Sequence, residues 1–246
     1  AIRPNIIRLF TAAKLRLYQG YGMTETSPVI SVNQPSDNVL GTNGTPLDNT
    51  ELKIADDGEI LVRGPHVMKG YYKDEKATRE IIDEEGWLHT GDIGYLQDGK
   101  YLMITDRKKE IFKLSSGKYI APQMIENKIR ESSFVDNCIV FGEHQKFASA
   151  VIIPNMKELR EWCAKNNINA GESDEELVGN KDVVAMLNKE MAKINKTLSE
   201  YEMIKKSFYT SDTWSVENGM LSQTLKPKRA VILSRYKALV DAAYNK

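Results

Sequence analysis

Apolar and polar positions follow different periods in different stretches of the chain. Ile6, Ile7, Leu9 and Phe10 share one face of a helical period, and Leu15 and Leu17 then alternate with Lys14 and Arg16. That pattern predicts the end of a helix and a short strand within residues 1–18. From about Val39 to Asp106 short strand-like runs are separated by turn signals. Glu51–Ile54 and Glu59–Val62 flank Asp56-Asp57-Gly58, while Trp87–Leu96 and Tyr101–Thr105 flank Asp98-Gly99. The Asp-Gly pair is a hairpin signal because such a turn needs positive φ. One helix, at about Glu75–Glu84, interrupts this small antiparallel sheet or barrel.

Beyond Arg107 the pattern becomes mixed. Pro122 suits the first turn of a helix carrying Met124, Ile125 and Ile129. Val135–Phe141 and Phe147–Ile153 read as strands, and a helix-rich stretch runs from Met156 to about Lys205. Ser173 and Glu176 have the spacing of a capping box. Val183, Val184, Leu187, Met191, Ile194, Leu198 and Tyr201 keep to one helical face. A strand near Ser207–Thr210, a loop through Gly219 and a last helix with Tyr236, Leu239, Val240 and Ala243 complete the pattern. The fold class expected is α+β, with the main boundary near Asp106.

Composition narrows the function classes. With 246 residues, 41% hydrophobic and 28% charged, the chain has the make-up of a globular protein. Its 34 basic side chains balance 34 acidic ones, so no overall field favours nucleic acid or an anionic membrane. No apolar run approaches the roughly 20 residues of a membrane-spanning helix, so any bilayer contact would be peripheral. Cys138 and Cys163 are far apart and outside any C-x-x-C pair, which argues for a reduced, cytoplasmic-type protein.

Three segments could carry chemistry. Tyr21-Gly22-Met23-Thr24-Glu25-Thr26 combines an aromatic face, an approachable backbone, hydroxyls and a carboxylate. These suit a base, a phosphate and a Mg²⁺ ion; on local chemistry alone the commoner use is a loop entering a helix with Thr24 as its cap. His89-Thr90-Gly91-Asp92 offers a carboxylate for a ribose diol, or a capped turn. Ser115-Ser116-Gly117-Lys118 lacks the earlier glycine and the following Ser or Thr of a P-loop, so a turn explains it better. Lys226, Lys228 and Arg229 could meet phosphate or form a solvated helix entry.

The order and spacing of these segments are more specific than any one of them. The Tyr21–Thr26 motif, Gly91-Asp92, Asp106-Arg107-Lys108-Lys109-Glu110 and Gly117-Lys118-Tyr119-Ile120-Ala121-Pro122 together resemble the adenylate-forming superfamily of acyl-CoA synthetases, luciferases and peptide-synthetase adenylation domains. Ile111-Phe112-Lys113 before the Gly117 motif, the insert over 156–205, and Asn218-Gly219-Met220-Leu221 with Thr224-Leu225-Lys226 are most similar to long-chain fatty acid–CoA ligases. The resemblance covers the whole chain. It lacks the Ser/Thr/Gly-rich phosphate loop that family members carry upstream of the first motif, and the chain starts at Ala1 rather than Met. These points imply the C-terminal half of a ligase, inactive alone, with the phosphate loop and acyl pocket in a missing N-terminal half.

The resemblance further implies three parts: residues 1–38 as a remnant of the large domain, 39–105 as a β-rich subdomain, and 106–246 as a mobile lid with a helical insert. Its substrates and cofactors would be ATP giving AMP, Mg²⁺, a long-chain fatty acid and coenzyme A. Tyr21 would stack on adenine beside Gly22, Thr24 would meet the adenylate phosphate, and Glu25 would ligate Mg²⁺. Asp92 and Arg107 would hold the ribose, and Asp106 would be the hinge. Lys226 would be the adenylation lysine, although Leu225 replaces the family's usual glycine, and Lys228 stands in reserve. Lys113 and Gly117 would face the site during thioester formation. An adenylating enzyme that passes its acyl group to a carrier protein, or a non-catalytic nucleotide-binding module, are the alternatives.

Overall fold

Turn residues with positive φ set the sheet boundaries in the first half of the chain. The computed structural model describes residues 4–244, so the outermost residues of the first and last segments assigned above, 1–3 and 245–246, lie outside it. The chain divides into two compact units, 1–110 and 111–246.

The first unit opens with α1 (Pro4–Ala12), followed by the short strands β1 (Gly20–Tyr21), β2 (Ser31–Val32) and β3 (Thr45–Pro46), which form one antiparallel sheet. Then come β4 (Glu51–Ile54), β5 (Glu59–Arg63), α2 (Glu75–Ile81), β6 (Leu88–Gln97) and β7 (Tyr101–Arg107). The four strands pair in sequence order, all antiparallel. Asp98 and Gly99 both take positive φ in the β6–β7 turn, and Gly58 does so in the β4–β5 turn. Asp74 caps α2 by accepting from the Ala77 N–H.

No strand forms at Leu15–Leu17. Lys14 takes φ of 61°, the Leu15 N–H returns to the Phe10 carbonyl, and the Lys14 N–H returns to that of Thr11. Those two bonds are a Schellman stop, so the apparent alternation is the end of the helix. Residues on both sides of position 38 contribute to one cluster. Ile30 packs with Ile60, Val62 and Leu102, and Tyr21 leans on the same cluster. The Asn43 N–H donates to the Leu102 carbonyl and the Leu102 N–H to that of Gly44, tying the loop before β3 to β7.

The second unit begins with the hairpin β8 (Phe112–Lys113) and β9 (Tyr119–Ile120), then α3 (Pro122–Ile129), β10 (Val135–Phe141) and β11 (Ala148–Pro154). The insert holds α4 (Met156–Lys165), α5 (Asp174–Gly179) and α6 (Lys181–Asn195), followed by β12 (Ile204–Tyr209), α7 (Arg229–Arg235) and α8 (Lys237–Tyr244). β11 is central, antiparallel to β10 and parallel to β12. Strand periodicity splits its surroundings into two cores. Cys138, Val140, Ala150 and Ile152 face Ile125, Ile129 and Met191; Ile139, Phe141, Val151 and Ile153 face Trp214, Ile232 and Tyr236. Cys163 is buried in a third cluster with Leu159, Leu177 and Leu187.

Three local expectations change. The Ser173 hydroxyl accepts from the Glu176 N–H, but the Glu176 carboxylate accepts from Glu172, so the capping box does not close. α6 stops at Asn195, whose side-chain amide both donates to and accepts from the backbone of Ile204, and Tyr201 lies exposed beyond it. The last helix is broken at Tyr236, whose hydroxyl accepts from Trp214 and donates to Asp212. Among the described residues no helix is long and apolar enough to cross a membrane.

Candidate functional site

The β6–β7 register puts Asp92 opposite Arg107. One Asp92 oxygen accepts from the Tyr21 hydroxyl at 2.5 Å and the other meets the Arg107 Nε at 2.7 Å. The Asp92 side chain is only 5% exposed, whereas that of Arg107 is 53% exposed. Tyr21 and Asp92 are 71 positions apart in sequence. Burial, reinforced by the Asp92 charge, pushes the Tyr21 phenol well above its ordinary range, so it stays a donor. Thr90 steadies the strand: its hydroxyl donates to the Ile60 carbonyl and accepts from the Asp92 N–H. Because both Asp92 oxygens are engaged, a diol would have to use their remaining lone pairs or displace the exposed Arg107.

The loop after Tyr21 differs from its sequence-based reading. A Cβ on Gly22 would lie 1.8 Å from the Pro28 carbonyl oxygen, so close backbone approach requires this glycine. Thr24–Thr26 form a 3₁₀ turn whose cap position is Met23, not Thr24; the Thr26 hydroxyl bonds both the N–H and the carbonyl of Met23. Glu25 accepts the Tyr71 hydroxyl at 2.7 Å, and its backbone carbonyl accepts the Met68 N–H. Sequence reasoning missed Tyr71; its only signal is the aromatic pair after Gly70. Glu25 keeps a second carboxylate oxygen for a cation. One carboxylate fits Mg²⁺ when substrate phosphates and water complete the shell.

Lys113, Gly117 and Lys226 belong to the second unit. Lys113 is exposed on β8 with its Nζ 5.4 Å from the centre of the Tyr119 ring, and Gly117 takes φ of 86° in the turn to β9. Lys226 is exposed on a tight loop between the bridged residues Leu221 and Pro227. Within it the Ser222 N–H donates to the Lys226 carbonyl and the Lys226 N–H to the Ser222 hydroxyl. Lys228 is the N-cap residue of α7, where its own N–H reaches the Met220 carbonyl. Behind the loop, Arg229 donates to both the Glu126 carboxylate and the Val140 carbonyl at 2.6 Å.

Leu225 takes φ of 58° and is 69% exposed, which gives a physical reason for the glycine expected there. Leu225→Gly should stabilise the second unit by up to about 1 kcal/mol, because relief of a left-handed side chain outweighs the added freedom of glycine in the unfolded chain. Urea unfolding checks this; a lower midpoint would contradict it.

Residues 1–72 match the family profile of AMP-binding enzymes, and residues 109–246 match that of the AMP-binding enzyme C-terminal domain. The chain belongs to the AMP-binding enzyme family. Its curated relatives include long-chain-fatty-acid–CoA ligase FadD15 of Mycobacterium bovis, 35% identical over 96% of this chain and 39% of the relative. Human long-chain-fatty-acid–CoA ligase 6 is 36% identical over 98% of this chain and 37% of its own length. The peroxisomal long chain acyl-CoA synthetase 6 of Arabidopsis thaliana is 41% identical over 87% and 33%. The chain thus spans between a third and two-fifths of the length of these relatives. Among solved structures, the adenylation domain of a Mycobacterium chelonae carboxylate reductase superposes with a TM-score of 0.78 at 21% identity, covering 99% of this chain and 37% of that one. This likeness shows the α+β adenylate-forming fold. The carboxylic acid reductase A domain of Segniliparus rugosus, in complex with AMP and a co-purified carboxylic acid, gives 0.74 at 25% identity over 99% and 38%.

Proposed function

We propose that these residues form the nucleotide-handling and lid portion of an AMP-forming long-chain fatty acid–CoA ligase. The observation that carries the proposal is the Tyr21–Asp92–Arg107 constellation, assembled from distant segments in a chain similar to long-chain ligases along 96–98% of its length. Tyr21 would face adenine while its hydroxyl holds Asp92, and Asp92 and Arg107 would take the ribose hydroxyls. Thr24 would meet the α-phosphate. A Mg²⁺ held through Glu25 would offset the charge that accumulates as a carboxylate attacks the α-phosphate.

Lys226 would bring a second cation to that step from its exposed loop. In thioester formation the thiol of coenzyme A must approach the acyl carbonyl instead, with Lys113 and Gly117 replacing Lys226. Asp106 is 1% exposed and paired with Ile93 inside the β6–β7 ladder. The turn of the lid is therefore assigned to residues 109–111, beyond the ladder and the Lys108–Gly91 bond, where the two units meet in sequence.

The phosphate loop and acyl pocket are assigned to residues outside these 246. The exposed apolar side chains of α1 and its cap, Leu9, Phe10 and Leu15, support that assignment. The purified chain should bind AMP but show no fatty-acid-dependent ATP–pyrophosphate exchange, because in-line positioning that supplies roughly 7–11 kcal/mol of barrier reduction is missing. The complete ligase should release AMP only when coenzyme A is added. Exchange by the chain alone at a comparable rate would overturn the placement of the missing parts, and AMP release that needs a carrier protein instead of coenzyme A would overturn the ligase reading.

A further inference from the structure

Outside the constellation lies a buried carboxylate that sequence reasoning gave no role. Glu59, at the start of β5, is 3% exposed. One of its oxygens accepts the Gly91 N–H at 3.0 Å; the other meets Lys108 Nζ at 2.8 Å and His89 Nδ1 at 3.0 Å. Burial works against its charge, yet these donors together hold its carboxyl below the ordinary range.

The position of the two tied residues matters more than their number. Asp92 and Arg107 are partners across the β6–β7 ladder, and Gly91 and Lys108 are the next residue outward on each strand. The Lys108 N–H also donates to the Gly91 carbonyl at 2.8 Å. Gly91 takes φ of 69°, a conformation that ordinary strand pairing does not hold in place. A ladder end normally frays, and the Asp92–Arg107 pair sits one step from this end. Glu59 closes it by gripping both outer residues from a neighbouring strand.

We propose that Glu59 is a positioning residue for nucleotide recognition, tying Gly91 to Lys108 so that Asp92 and Arg107 keep the geometry that receives a ribose diol. This inference rests on the nucleotide reading above and extends it to a residue that would touch no substrate. Lys108 is also joined to Asp57 at 2.7 Å, which anchors the same tie to the β4–β5 turn. His89 thereby acquires a function as a donor that helps keep Glu59 charged.

The test uses the 246-residue chain, with amide hydrogen exchange and AMP titration both followed by NMR. Glu59→Leu should speed exchange at Gly91 and Lys108 at least ~10-fold, leave the β10–β11 ladder unchanged, and weaken AMP binding at least ~10-fold, as expected for losing hydrogen bonds to a charged group. Glu59→Gln fills the same space and keeps an acceptor for Gly91 but turns an amide donor toward Lys108, so it should still speed Lys108 exchange and weaken AMP several-fold, which a simple loss of packing would not predict. If Glu59→Leu does not fold, Lys108→Met carries the test: it should speed Lys108 exchange and weaken AMP several-fold. Unchanged exchange in chains whose parent binds AMP would overturn the tie alone. Faster exchange with unchanged AMP affinity would overturn its positioning role. Failure of the unmodified chain to bind AMP would overturn the nucleotide reading, and the proposal with it, whatever the exchange shows.

Discussion

Lys226→Ala in the complete ligase should slow acyl-adenylate formation about 10²–10³-fold, the loss typical of removing one preorganised donor from developing negative charge. The ammonium is exposed on a short loop with Ser222 bonds at its base, so truncating it leaves the loop's own hydrogen bonds intact. Thioester formation from supplied acyl-AMP should be largely spared, since that step does not place Lys226 at the reacting atoms. Separate assays of the two half-reactions check this. Equal losses in both would remove the assigned role, and a larger loss from Lys228→Ala would transfer it to Lys228.

A second large effect is expected at Arg229. Arg229→Ala should destabilise the second unit by about 3–5 kcal/mol, because it strands the Glu126 carboxylate, which is 6% exposed, without its guanidinium partner. Glu126 would still accept the Val140 N–H at 2.7 Å, so a neutral side chain of similar shape remains hydrogen-bonded there. Combining Glu126→Gln with Arg229→Met should therefore cost much less than Arg229→Ala alone. Denaturant unfolding followed through Trp214, which is buried in the same unit, gives the comparison. A double variant as unstable as Arg229→Ala would show that packing, not the stranded charge, dominates.

Much of the local structure was legible because local physics decides it. Asp98-Gly99 and Gly58 produce the expected turns, Pro122 opens α3, and the alternating residues of β10 and β11 separate two cores as strand geometry requires. The misplaced element ends share one cause: a periodic pattern does not say where it stops. Leu15 continues an alternation yet closes a helix, and Tyr201 continues a helical stripe beyond Asn195, where a side-chain amide has already captured the backbone of Ile204. The helix ends are decided by hydrogen bonds to residues that the period does not include.

By itself the sequence determined the family, through the order and spacing of its motifs, and most of the strands and helices, through composition and period. Only the tertiary structure decided which side chains meet. It joined Tyr21 to Asp92, placed Tyr71 on Glu25, and set Glu59 beneath Gly91 and Lys108. None of these contacts follows from spacing along the chain, because each depends on strand register and on how separate segments pack. A one-residue shift in register turns a side chain to the opposite face, so only the assembled ladder fixes the partners of these residues.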